Sequence, residues 1–448
     1  MVSQIAQLLQ LGVAAFVIVA LMVELARRPL AMVVALLGVH AWSLLFGLPY
    51  ARVAGIGISP DDVVNFIALG AAVIRMRRGP RGWQWALLVA VALIVYATLR
   101  GLVQLGDDAL LGFRLELYFV VPALFVATLP ASAGTRVVRS VVLFGAVIAF
   151  IAVVRWVLLA IGAGQGGFMG GGDYAVSRVI NSSAALWVAF ACVAGAVSLL
   201  ERGTSRGRWK LQALTAITFV VVVLAQHRSV WVAAAVMLAV ALVVTRRRWL
   251  EKAAIVVIAG VAVAVIEVAG LGTAGPVAES LAFAASNTHT WEWRLERWVD
   301  VWSTHAERGV EAVVLGSGYG YGWVSGVVGT WEASPHNGFL QIAVRIGLLG
   351  ALLVFAPYVL ALRRLPTFGG GVARVLWLWV IGALVYYVPY SGNMLTGVLL
   401  GAAVAASVAR PRSAVEVPWA GAGVRVPSAP TTGTRPRSWA ARRLPSRT

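Results

Sequence analysis

The sequence predicts an all-α, polytopic transmembrane bundle with one long extracytoplasmic loop that contains an amphipathic helix. Only 12% of the 448 residues are charged, 60% are hydrophobic, and the mean hydropathy is +0.85. A soluble domain carries roughly 25% charged residues, so there is too little charge here to cover a water-facing surface. Apolar runs long enough to cross about 30 Å of hydrocarbon recur along almost the whole chain. Backbone polar groups in lipid must pair within their own segment, which makes these runs helices. The basic residues are gathered between the runs and in the C-terminal tail.

That distribution accounts for the net charge of +19. It follows the positive-inside pattern, and no basic groove interleaved with aromatics points to nucleic acid. The single Cys192 lies inside an apolar run, so disulfides take no part in the fold. The first apolar run is long and lacks preceding basic residues, which argues against a cleavable signal peptide.

Arg27-Arg28, Arg75 to Arg81, Arg136 to Arg139, Arg202 to Lys210, Arg246 to Lys252 and Arg363 to Arg374 are expected in the cytoplasm. Between consecutive clusters the chain has room to cross out and back, giving about 13 spans. These are 6–26, 29–48, 60–75, 83–99, 115–131, 138–160, 179–200, 211–226, 230–245, 253–271, 337–362, 374–390 and 394–409. A count of 12 stays open, because short helices near 50–62 could be re-entrant. The arithmetic puts the N-terminus outside and the C-terminus inside, in the plasma or inner membrane. Asp61 and Asp62, after Ser59-Pro60, are candidate caps for the third span.

The outward loops are then 49–59, 100–114, 161–178, the tight turn at Gln226–Ser229, 272–336 and a turn near Tyr390. The Gly-rich 161–172 stretch could cradle phosphate, but it lacks a strand-loop-helix context, and a flexible linker is the better reading. The chain divides into N-terminal helices (1–170), a second membrane region with the long loop 272–336 (171–409), and a tail (410–448). The tail is rich in Pro, Ser, Thr and Arg, and is expected to be disordered, basic and cytoplasmic.

Within the long loop, Trp291, Leu295, Trp298 and Trp302 fall on one face of a helix. Indole rings favour the headgroup level, so this helix is expected to lie in the membrane interface, in contact with lipid. Arg294 flanks the Trp stripe, whereas Arg297 points further towards water; His289 and His305 are expected to be solvated. Next come Gly316, Gly318 and Gly320, which allow tight turns and close approach to a ligand. Ser334-Pro335-His336-Asn337 then leads into a span. Read alone, it is better explained as a helix cap. A His at the mouth of a span can instead act as general base. Arg345, two turns into that span, and Arg155 raise the question of a polar cavity.

The ordered set is more specific than its parts. His227-Arg228-Ser229 opens a span, followed by Arg294 with Trp298, Leu315-Gly316-Ser317-Gly318-Tyr319-Gly320, His336-Asn337-Gly338-Phe339-Leu340 and Arg345-Ile346-Gly347-Leu348-Leu349-Gly350. Ser177-Arg178-Val179-Ile180-Asn181 opens an earlier span. In this order the chain resembles the O-antigen ligase and polymerase family, over about residues 170–362. The resemblance implies transfer of a glycan from a polyprenyl-diphosphate carrier to an acceptor hydroxyl of a glycan, lipid or protein, on the outer face of the membrane. It implies His336 as general base, with Arg228, Arg294, Arg178 and Arg297 on the diphosphate. Gly316, Gly318 and Asn337 would then lie where the ligand approaches. The loop has no Asp-x-Asp or His/Cys cluster, so neither a metal nor another cofactor is expected. The rival classes are a transporter or flippase, which should show internal repeats and midplane ionisable residues, and a non-catalytic partner in polysaccharide export. Nothing in the sequence separates ligase from polymerase.

Overall fold

The computed structural model describes residues 16–47, 51–53, 56–78, 82–106, 109–160, 179–201, 208–245, 289–320, 323–325, 329–331, 335–368 and 370–408. Its elements run α1 (16–27), α2 (Pro29–Phe46), β1 (Ala51–Val53), β2 (Ile56–Ile58), α3 (Pro60–Arg75), α4 (Trp83–Leu105) and α5 (Ala109–Ala127). These are followed by α6 (Gly134–Ala160), α7 (Ser182–Glu201), α8 (Arg208–Leu224) and α9 (Arg228–Val244). The last group is α10 (His289–Ala306), α11 (Val310–Leu315), β3 (Trp323–Ser325), β4 (Gly329–Trp331), α12 (Gly338–Arg364), α13 (Gly371–Tyr387) and α14 (Met394–Val408). The protein is a multi-pass helical bundle. Among the described residues five helices are long and apolar enough to cross a membrane, with shorter apolar helices beside them. Every expected span except 253–271 overlaps a described helix; that one, like residues 6–15 of the first span, 161–178 and the 410–448 tail, lies outside the described residues.

Helix faces sort by neighbour. α7 is buried along nearly its whole length, as a helix that is apolar all round must be. The outer helices leave large apolar side chains such as Leu143, Phe150 and Leu352 more than half exposed. In water such surfaces would drive association, whereas in hydrocarbon they are at home. With no hydrophobic force between helices in lipid, close backbone approach does the holding. Gly397 and Gly401, four residues apart on α14, let that helix rest on the backbone of α5; a Cβ at Gly397 would overlap Phe119 O. α5 is therefore a fixed element against which others are placed.

Two expectations about loops are corrected. The segment around 50–62 is no re-entrant helix: β1 pairs antiparallel with β2, and α3 follows directly. The outward loop expected at 100–114 is largely helical, since α4 runs to Leu105 and α5 starts at Ala109. Arg100, near the end of α4, meets Glu311 at 3.1 Å and the Gly316 carbonyl at 3.3 Å.

Candidate active site

α10 forms where the Trp spacing placed it, but its stripe divides. Trp298 turns inward and donates its indole N–H to Pro335 O at 2.7 Å. Val301 and Trp302 pack on Leu340 and Val344 of α12. Trp291, Leu295 and Val299 remain exposed, so only part of the expected lipid-facing stripe faces outward. His305 continues the inward face, at i+7 from Trp298. It was expected in solvent, yet it is buried with its Nδ1 2.9 Å from Ser317 Oγ. The helical wheel that placed the tryptophans would have placed it too.

The grip of Trp298 on Pro335 sets the mouth of α12. Asn337 is the N-cap, its Oδ1 accepting from Leu340 N at 2.9 Å. Capping is thus Asn337's task. His336 stands just before it with φ of 49°, a left-handed conformation that costs a non-glycine residue on the order of 1–3 kcal/mol. Its ring is half-buried and meets Tyr390 edge-on, with centroids 6.4 Å apart. Burial, and then the Arg294 guanidinium, hold its imidazole below the ordinary histidine value, so it is neutral near pH 7 and able to accept a proton. Arg294 is half-buried, and its Nε is buried with no hydrogen-bond partner among the described residues. A buried guanidinium N–H without an acceptor suits an anionic ligand.

The glycine-rich segment serves the fold directly. α12 breaks at Gly347 (φ 74°, ψ 175°), and the break frees the carbonyls of Val344 and Arg345. Ser317 N and Gly318 N donate to those two carbonyls at 2.9 and 3.4 Å. A Cβ at Gly316 would overlap Arg345 O, and a Cβ at Gly347 would overlap Val314 O. The close approach that Gly316 and Gly318 permit is thus to the protein's own backbone. The Gly316–Gly320 and Arg345–Gly347 motifs are the two halves of one joint.

A third strand of contacts reaches the other arginines. Arg228 opens α9, half-buried, beside buried His227, whose Nε2 lies 3.0 Å from Ile180 O. Asn181 Oδ1 caps α7 by accepting from Ala184 N at 2.8 Å. Arg155 donates to the carbonyls of Val179 and Leu45, which answers the question its position raised. From there Ser182 Oγ accepts from Tyr386 OH at 3.1 Å, Tyr386 stacks on Tyr390 at 4.8 Å, and Tyr390 touches His336. The start of α9 is thereby linked to the mouth of α12 at one end of the bundle. Arg178 lies outside the described residues. Arg297 sits 5.7 Å over the Trp293 ring on α10. Sequence reasoning missed Tyr386 and Tyr390; aromatic residues at the end of an apolar run gave no distinguishing signal.

With the geometry in place, comparison with known proteins adds the family. Residues 213–355 match the O-antigen ligase family. The match begins in α8, passes through Arg228, Arg294, the glycine joint and His336, and ends within α12. The match supports, in general terms, an O-antigen ligase-like membrane glycosyltransferase function. No curated protein matches the chain.

Proposed function

We propose that this protein transfers a glycan from a polyprenyl-diphosphate carrier to an acceptor hydroxyl at the extracytoplasmic face of the membrane. The reading rests chiefly on one observation: a neutral His336 at the mouth of α12, close to an Arg294 guanidinium with a buried, unpartnered N–H. The acceptor oxygen attacks the anomeric carbon as its proton passes to His336, and the bond from that carbon to the diphosphate oxygen breaks. Negative charge grows on the leaving diphosphate. Arg294 and Arg228, with Arg178 and Arg297 as further candidates, bind that charge in bidentate fashion and favour the transition state. In this scheme guanidinium groups take the part that a divalent cation plays elsewhere.

The test is transfer from a lipid-linked donor by purified protein carrying His336→Ala, Arg228→Lys or Arg294→Lys. Full activity in all three properly inserted variants would overturn the enzyme reading. Supplying the lipid-linked donor alone separates the two reactions, because only a polymerase lengthens it unaided. Cysteine labelling fixes the face: α10 should react from outside and 202–209 from inside, and the reverse would invert the threading.

A further inference from the structure

The break at Gly347 makes residues 338–346 a short helical segment of its own, ending outward in the Asn337 cap and His336. Its inner face carries Gln341 and Arg345, one turn apart. Gln341 Nε2 donates to Glu116 Oε1 on α5 at 2.9 Å. Arg345 Nη1 donates to Gly318 O at 3.2 Å, and its guanidinium lies 5.8 Å from the Tyr319 ring. Glu116, Gln341 and Arg345 are 4%, 3% and 8% exposed. Burying a carboxylate and a guanidinium in an apolar bundle is unfavourable by several kcal/mol per ion before their mutual attraction is counted, so apolar residues would pack this place at lower cost. What the polar set adds is direction. Its hydrogen bonds join three pieces: α5, fixed by the α14 glycines; the glycine joint; and the segment that ends in His336.

We propose that Glu116, Gln341 and Arg345 are positioning residues for His336, locking the detached first segment of α12 to α5 and to the glycine joint so that the imidazole is held against Arg294 and Tyr390. The inference rests on the general-base reading of His336 for its effect on turnover, but not for its effect on the ring itself. Arg294 from α10 and Tyr390 from the α13–α14 turn are the charged and titratable groups that face His336.

Two readouts test it on full-length protein in lipid nanodiscs: the NMR titration of His336, assigned by its loss in His336→Ala, and the kinetics of glycan transfer. Arg345→Met should move the His336 titration up towards the ordinary value of 6.5 as the ring escapes its setting. Turnover should fall on the order of 100-fold, the effect of roughly 1 Å of misplacement. KM for the lipid-linked donor should change less than about threefold, because the donor-binding arginines are untouched. Arg345→Lys should recover most of both effects. Gln341→Glu, which sets carboxylate against carboxylate, should behave like Arg345→Met. Adding Glu116→Gln to it restores an amide–carboxylate bond with the partners exchanged, and should restore the wild-type titration. If Arg345→Met is lost from the membrane, Gln341→Glu and the exchanged pair carry the same readout. An unchanged His336 titration in the folded single variants overturns the proposal. If instead His336→Ala retains full transfer while the titration shifts, positioning stands and the general-base reading fails.

Discussion

Two short motifs in this chain begin Ser-Pro and open a helix, and they do opposite work. At Ser59-Pro60-Asp61-Asp62 the serine is the N-cap and proline the first helical residue. Asp62 closes a capping box, accepting from Ser59 N at 2.7 Å while Ser59 Oγ accepts from Asp62 N at 3.3 Å. At Ser334-Pro335-His336-Asn337 the helix starts three residues later relative to the proline, with Asn337 as cap. The shift has a visible cause: Trp298 holds Pro335 O, which keeps the proline out of the helix and leaves His336 in a left-handed backbone conformation. A capping motif satisfied by its own neighbours stays structural. One pulled from outside leaves the proline and the residue after it ahead of the helix.

The sharpest way to break this comparison is to replace the two histidine-equivalent positions. His336→Ala should lower transfer by roughly 10²–10⁴-fold, the usual worth of a general base. His336→Gly should abolish transfer similarly yet raise thermal stability by about 1 kcal/mol, since glycine accepts the left-handed backbone without strain. A loss of stability in that variant would mean that the strain is not stored there. Asp61→Ala at the matching place in the first motif should leave turnover within about twofold, as expected of a residue acting only on the fold.

Arg294→Lys comes next. It should cost on the order of tenfold to 100-fold in kcat/KM, because an ammonium cannot make the bidentate contact. The pH profile goes with it. His336 must be neutral to accept a proton, and burial with Arg294 lowers its value in the fold, so activity should fall on the acid side at a pH below that of an ordinary histidine. Removing the charge with Arg294→Gln should move that acidic limb upwards, but only in part, because burial is the larger cause. A limb that does not move would show that another group titrates.

Trp298→Phe keeps the ring and removes the hydrogen bond to Pro335. A fall of about tenfold in turnover, with the Michaelis constant little changed, is the expected result if the grip positions His336. The smallest effects belong to the caps. Ser59→Ala and Asn337→Ala should each destabilise by about 1 kcal/mol in thermal unfolding. Only the second should also touch activity, and equal activity losses would erase the distinction between the motifs.

Much of the bundle was legible because its signals are local. Span positions follow from hydrophobic runs, and α10 from the Trp spacing at 291, 298 and 302. The Ser59 capping box is contained in four residues. His336 and Arg228 stood out by residue type at helix mouths and Arg294 by its place beside the Trp stripe, and all three remain candidates. What escaped was everything that depends on a distant partner. Glu116 drew no reading, because its partner Gln341 is 225 residues away in sequence. Gly316 and Gly318 were read as room for a ligand, since a glycine declares space beside the backbone and not what fills it. At 100–114 the expected loop is largely helix, and Arg100 within it meets Glu311 and the Gly316 carbonyl only across the bundle.

The sequence by itself determined that this chain is a helical membrane protein, that its apolar runs become helices, and that arginines and one histidine stand at helix mouths. Hydropathy and periodicity are properties of neighbouring residues, so they survive without knowledge of the fold. Only the tertiary structure decided that His305 is buried, that Trp298 holds Pro335 out of the helix, and that the Val344 and Arg345 carbonyls at the kink accept from Ser317 and Gly318, 27 residues before them. A carbonyl released by a helix break takes whichever donor the packing brings within reach, and that choice is made in three dimensions.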